Sequence, residues 1–429
     1  MSAYFQLLRR NPDFANLWAA QVISLLGDWF NTIVLSALVG AYSGGSGLAV
    51  SIFLLARFVP PLLIGPFAGV LVDRMDRKRL LIFSDVSRAG VVLLLLLATG
   101  PDRLWLIYVL TFIQFSLSAV FEPGRSAIMP SLLQSHDLVR ANTLGSVTWS
   151  AMLAVGAIAG GLVAALVGAA AALVIDAGTF LVSAAFISRI RIVTRPDQPP
   201  AGERPAADPR DQRRLADGLR YLAAHPATAA VLLVKLGQSL GNVDALMIVY
   251  ATELFIMGKD STTPLSIMYA AFGVGAVLGP LLTNRINNGS VPRMRRLIGL
   301  GFIWITLGWL VFGGASTLAL VSGALVLRAM GGSVNWTYSS VIIQKSVPDQ
   351  FLGRVFALDM AGFQLASVIS TILTGLAVES LGASQVRQVV IGMGIISLVP
   401  LAGWLLILYV IERRQRQLAL VATPESPQI

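Results

Sequence analysis

Long apolar runs bounded by short polar stretches repeat along the whole chain, at 14–42, 47–72, 79–100, 103–124, 139–166, 169–189, 227–257, 263–284, 294–314, 317–341, 353–380 and 386–411. Each reaches the roughly 20 residues that a helix needs to cross about 30 Å of hydrocarbon. In lipid every backbone N–H and C=O must find its partner inside the protein, so these segments are expected to be helices. The pattern predicts an all-α membrane protein with twelve transmembrane helices. The stretch from Met1 to Asp13 is polar and the first apolar run is long, which does not fit a cleaved signal peptide, so the first helix is expected to stay in the mature protein.

Composition agrees, with 55% hydrophobic and 13% charged residues where a soluble domain carries about 25% charged. The net charge of +10 would suggest a nucleic-acid partner in a soluble protein, and the position of the bases decides otherwise. With the N-terminus inside, twenty-five Lys and Arg fall in polar stretches on one side, and three, Arg103, Lys259 and Arg387, on the other. That bias orients a multi-pass chain in a bacterial-type inner membrane with both termini cytoplasmic, and it accounts for the charge without nucleic acid. Four bases, Arg57, Arg88, Lys235 and Arg328, lie within the apolar runs.

The longest polar interval, Arg191 to Asp211, holds five prolines and reads as an exposed linker. It divides the chain into an N-terminal six-helix bundle (1–190), a cytoplasmic linker (191–225), a C-terminal six-helix bundle (226–412) and a cytoplasmic tail (413–429). Within the linker Leu215, Leu219 and Leu222 share one helical face among arginines, which fits either a helix lying on the membrane surface or a solvated linker helix. The halves also repeat each other. Gly65 and Gly69 precede Asp73-Arg74 in the second run, and Gly275 and Gly279 precede Asn284-Arg285 in the eighth. Glycines four apart let helices approach closely and are expected to mark packing seams, as are Gly156 and Gly160 in the fifth. Parallel repeats place a substrate site between the halves near the midplane.

The stretch Gly69-Val-Leu-Val-Asp73-Arg74-Met-Asp-Arg77-Lys78-Arg79 resembles the signature loop of the major facilitator superfamily, and the likeness extends over nearly the whole chain. Leu26-Gly27-Asp28, Phe121-Glu-Pro-Gly-Arg125, Ile175-Asp176-Ala177 and Val347-Pro-Asp-Gln-Phe-Leu-Gly353-Arg354-Val355 are similar to phrases of its drug–proton antiporter branch, which holds macrolide and enterobactin-type siderophore exporters. The run Gly156-Ala-Ile-Ala-Gly160 lacks the Gly-Pro that such exporters often carry in helix 5. The resemblance implies the twelve-helix, two-bundle fold, alternating access, and a gating role for Gly69, Asp73, Arg74, Arg77 and Lys78. On physical grounds alone Asp73 can cap a helix and pair with arginines in one state, while the bases can equally serve only to anchor topology.

Ionisable groups at bilayer depth are expensive, so they tend to face a wet cavity. Ser24, Asp28 and Asn31 share a helical face in the first run, which makes Asp28 the leading candidate for proton binding or substrate contact, or else a structural partner of Arg57. Lys235, Gln238 and Asn242 make a similar stripe in the seventh run, with Asp244 off that face unless the helix is irregular near Gly241. Gln114, Arg328 with Asn335, and Asp359 are further candidates for cavity wall, Asp359 equally for a gate. Asp85 with Arg88 reads as a structural pair, as does Glu122 with Arg125, and Asp176 and Glu253 are placed close to the outer surface. Trp18, Trp105, Trp304, Trp309 and Trp404 are expected at interfaces or facing lipid, and Trp149 and Trp336 beside polar residues are candidates for stacking on a substrate.

Enzyme chemistry finds no support. The chain has no cysteine, and His136 and His225 are far apart, so neither a metal site nor a thiol nucleophile is expected. It has no phosphate-cradling Gly-x4-Gly-Lys-Ser/Thr loop. No cofactor is expected. The expected function is a monomeric secondary transporter, most simply a proton-coupled efflux pump for a small amphipathic compound. A lysophospholipid or nutrient carrier is the alternative within transport, and a non-transporting receptor or assembly protein the alternative outside it.

Overall fold

The computed structural model describes residues 2–134, 137–191, 211–255 and 262–421; within these, some side chains, including those of Asp73 and Arg74, lie outside the described part. His136 and most of the proline-rich linker also lie outside it. The described residues are helical throughout, without a strand. A short α1 (Ser2–Arg10) leads into α2 (Pro12–Ser43), α3 (Gly47–Arg74), α4 (Arg77–Leu94), α5 (Leu104–Leu132) and α6 (Leu138–Ser188). After α7 (Asp211–Ala224) come α8 (Pro226–Gln238), α9 (Val243–Glu253), α10 (Thr262–Asn284), α11 (Val291–Gly314), α12 (Leu318–Ser346), α13 (Asp349–Leu381), α14 (Val386–Ile396) and α15 (Leu398–Val421).

Among the described residues eleven stretches are long and apolar enough to cross a membrane, and one of them, Val147–Ser188, has 42 residues. At 1.5 Å per residue that is twice the hydrocarbon thickness. The chain turns within it at Gly168, where φ 87° and ψ 163° lie outside the helical region, so α6 holds two spanning segments, consistent with twelve among the described residues. An L side chain is strained at that φ, which is why glycine stands there. The seventh pass, expected as one helix over 227–257, is broken into α8 and α9 at Gly241, with φ 74°. A Cβ there would also press on Trp309 and Met393.

The first bundle packs α2 along α6, α3 along α5, and α4 against both α5 and α6; the second packs α12 between α10 and α11, with α14 on α11. The bundles meet through α3 against α13 and α10 against α6. These are the second pass on the eleventh and the eighth on the fifth, each contact mapping onto the other when six passes are added or removed, as a two-fold arrangement of repeats requires. The outer surface exposes Leu63, Phe67, Leu166, Leu281, Val399 and Leu406, each more than half accessible. Apolar surface on this scale needs lipid as its solvent.

Small residues set where the bundles touch. A Cβ on Gly47 would collide with the Gly375 carbonyl and Val378, and one on Gly375 with Ser51 and the Gly47 carbonyl, so the α3 and α13 backbones are in contact. Ser51 Oγ donates to Thr371 O (2.9 Å), Ser46 Oγ donates to Glu379 Oε2 (2.8 Å), and Gly161 takes Ser266 of α10. All these lie towards the end of the bundles remote from the arginine clusters.

Of the expected seams, Gly156 and Gly160 pack on Trp29 and Phe30, and Gly275 and Gly279 on the α12 backbone. Gly65 differs, since a Cβ there would meet nothing within 4 Å. The linker helix α7 docks on the second bundle, with Gly218 against Arg354 and Tyr221 stacked between His225 (4.1 Å) and Phe351 (4.9 Å). Leu222 is buried, Leu219 is exposed, and the Leu215 side chain lies outside the described part. Trp309 and Trp404 are buried rather than lipid-facing, the latter donating from Nε1 to Arg295 O (3.0 Å).

Candidate transport site

Ser24 and Asp28 sit one turn apart on the inner face of α2, and the structure opens a cavity of about 450 Å³ against them, within the range of small-molecule pockets. Its walls include Gln21, Ser24 and Asp28 of α2, Arg88 of α4, Glu122 of α5 and Trp149 of α6. Glu122 and Trp149 belong to the parts of α5 and α6 nearest the arginine clusters, so the cavity lies towards that end while the bundles are sealed at the other.

Asp28 is partly accessible on the cavity wall, and its ionic partner is Arg88, with Nη1 at 3.8 Å from Oδ2. Arg57, the partner expected from sequence, donates instead to Thr32 Oγ1 (2.9 Å), while that hydroxyl donates to the Asp28 carbonyl (2.6 Å); the Arg57 guanidinium lies 5.0 Å from the centre of the Phe115 ring. Arg88 is fully buried. It donates to Asp85 and to Ser24 Oγ (3.4 Å), with the Phe180 ring at 4.2 Å, and Asp85 accepts from Ser183 Oγ (2.6 Å). A buried guanidinium is tolerable only when its charge is countered and its N–H groups find acceptors, which Asp85 and Ser24 provide for Nη2 while Nε is left without one. Asp85 and Arg88 thus pair as expected, yet the pair reaches Asp28 as well. Asn31 donates to Gln114 Oε1 (3.3 Å), tying α2 to α5.

The second bundle carries another buried pair. Lys235 of α8 and Asp359 of α13 are hydrogen-bonded and wholly inaccessible; Lys235 Nζ also donates to Ser340 Oγ (3.1 Å) and lies 4.3 Å from the Trp336 ring centre. Gln238 lies one turn on, its Oε1 buried without a partner. Asn242 leaves the expected stripe because the helix breaks before it. It caps α9 instead, Oδ1 accepting from Ala245 N–H (2.9 Å) while Nδ2 donates to Thr371 Oγ1 (2.6 Å). The break brings Asp244 into the first turn of α9, within electrostatic range of Arg328 and Tyr269. Arg328 is buried between Trp309 (4.5 Å) and Phe272 (5.8 Å), and Asn335 is buried against Gly301 with both polar atoms unpartnered.

In the first turn of α4, Arg77 Nη1 donates to Ala127 O (2.8 Å) and Lys78 Nζ to Ile190 O (2.8 Å), so both bases tie to carbonyls of their own bundle. The environments of Gly69, Asp73 and Arg74 lie outside the described part. Glu122 and Arg125 form the expected ion pair (2.9 Å) at the cavity wall.

Sequence reasoning missed two members of the Asp28 cluster. Arg88 was visible as an i, i+3 partner of Asp85, but nothing local says that α4 faces α2. Asp176 was placed near the outer surface. It is fully buried, its carboxylate occupying the space beside Gly27 that a side chain there would fill. The turn at Gly168 puts it eight residues, or about 12 Å, below the bend.

Two six-helix bundles related by a repeat, in close contact at one end, with a charged cavity lined by α2, α4, α5 and α6 of the first, define a membrane transporter of the major facilitator fold. The chain belongs to the transmembrane secretion effector family, whose model matches residues 3–415. It is 26% identical to macrolide efflux protein A of Streptococcus pyogenes, over 87% of this chain and 91% of that one, and 26% identical to the enterobactin exporter EntS of Shigella boydii, over 96% and 95%. Among solved structures it is similar to a bacterial homolog of the human lysosomal transporter Spinster, in an inward-facing and unoccupied conformation, with a TM-score of 0.69 at 12% identity over 93% of this chain and 97% of that one.

Proposed function

We propose that this transporter works by alternating access and exports a small amphipathic compound in exchange for protons. The observation that carries the reading is Asp28, a carboxylate midway along α2 that is open to the cavity and in ionic contact with the buried Arg88. Such a group can accept a proton or a cationic substrate atom from the cavity, and either event changes its pull on Arg88 and hence on α4. Relatives that export a macrolide and enterobactin support an outward direction. The bias of bases supports an inner-membrane orientation with both termini cytoplasmic, in which the open end faces inward. Residues 1–190 and 226–412 are then the two rocking units, joined by 191–225, in a monomer.

The test is reconstitution of the full chain into proteoliposomes holding a pH-sensitive dye, challenged with a panel of macrolides and catecholate siderophores. A transported compound is expected to drive an opposite proton movement that is lost in Asp28→Asn. Solute flux without any internal pH change would refute proton exchange. Absence of all flux, together with specific binding of a protein partner, would replace transport with a receptor role.

A further inference from the structure

Asp176 is not among the cavity walls, yet it sits beside Asp28 and is wholly buried. It is 0% exposed, and neither carboxylate oxygen has a hydrogen-bond partner. Two neutral donors stand beside it, Asn31, whose Nδ2 donates to Gln114 Oε1 (3.3 Å), and Thr179, whose Oγ1 donates to the Asp176 carbonyl (2.7 Å). The charged groups that face it are Asp28 of α2 and Arg88 of α4; around Asp28 in turn stand Arg57 of α3 and Asp85 of α4. Arg88 is committed to Asp85 and Asp28, and Arg57 donates to Thr32. Of the three carboxylates, Asp85 accepts from Arg88 and Ser183, Asp28 has Arg88 at 3.8 Å and the cavity beside it, and Asp176 is the one both wholly buried and without a donor. An ionised carboxylate without a partner in such a place costs several kcal/mol, which binding one proton removes.

We propose that Asp176 stores the coupling proton and that Asp28 is its port to the cavity. The transfer breaks the O–H bond of protonated Asp28 and forms one on Asp176, leaving Asp28 ionised to pair with Arg88; the reverse transfer frees Arg88 from Asp28. Gly27 makes the relay possible, because any side chain at that position would displace the Asp176 carboxylate from α2. This rests on the proton-exchange reading above and adds to it where the proton resides.

Infrared spectroscopy of the reconstituted full chain tests it without any substrate. At neutral pH the wild type is expected to show the carbonyl stretch of a protonated carboxylic acid, shifting in D2O. Asp176→Asn is expected to abolish that band, and Asp28→Asn to keep it while slowing its deuterium shift. Should Asp176→Asn fail to fold, Gly27→Ala serves, because its methyl group must move the carboxylate and so shift the band. A wild type without the band, or a band untouched by both Asp176→Asn and Gly27→Ala, overturns the proposal. The band reports protonation whether or not solute moves, so a band that behaves as expected beside absent proton-driven flux refutes the transport reading and leaves the proton store standing.

Discussion

At the scale of single residues, two buried ionic clusters set different kinds of constraint. Lys235 and Asp359 are sealed from solvent and meet each other, Ser340 and the Trp336 face. Removing one partner of such a pair strands a charge, at a cost of about 3–5 kcal/mol. Asp359→Asn is therefore expected to lower the thermal unfolding midpoint of the purified protein clearly, and the double exchange Lys235→Met with Asp359→Leu to recover most of the loss. The Asp28 cluster is wet on one side, so Asp28→Asn is expected to leave the unfolding midpoint close to wild type while removing the pH dependence of transport. Asp73→Asn, in the loop that resembles the family signature, is expected to reduce transport with membrane insertion unchanged, read as flux against the amount of protein in the membrane fraction.

At the scale of elements, glycine positions decide where helices bend and where they touch. Gly168 and Gly241 carry positive φ; Gly168 falls between two apolar runs that the sequence already separates, at 139–166 and 169–189, whereas Gly241 splits the run 227–257, which the hydrophobic pattern shows as continuous. The split at Gly241 moves Asn242 from a presumed cavity stripe to a helix cap, and places Asp244 at the positive end of the α9 dipole. The α3–α13 seam depends on Gly47 and Gly375. Gly375→Val would drive two methyl groups into Ser51 and the Gly47 backbone, so the sealed end is expected to open. The chain has no cysteine, and a single one placed at Ser46 should then react faster with a membrane-impermeant maleimide in the Gly375→Val background. An unchanged rate would mean that the seam does not close that end.

At the scale of the whole molecule, the bundles meet through α3 on α13 and α10 on α6 at the end remote from the arginine clusters, and the Asp28 cavity lies nearer the arginines. A cysteine at Gln21, on the cavity wall, is expected to be labelled in inside-out vesicles and protected in right-side-out ones; the opposite result would reverse the proposed orientation. Gly275 and Gly279 pack tightly because both face the α12 backbone within one bundle, whereas a Cβ on Gly65 would meet no atom within 4 Å.

The amino-acid order alone determined the solvent of the chain, the twelve passes, the six-plus-six repeat and the end that carries the bases. All of these follow from hydrophobic length and charge placement, which are local and additive along the chain. It also marked Asp28, because a carboxylate deep in an apolar run is conspicuous. Which charges meet was decided only in three dimensions. Arg57 was the nearer guess for Asp28, yet α4 turns Arg88 towards it, and the bend at Gly168 carries Asp176 from the expected surface to the same depth. Pairing depends on how helices rotate and cross, and that is set by the packing of many small contacts such as Gly27, Gly156 and Gly160, none of which announces its partner in the sequence.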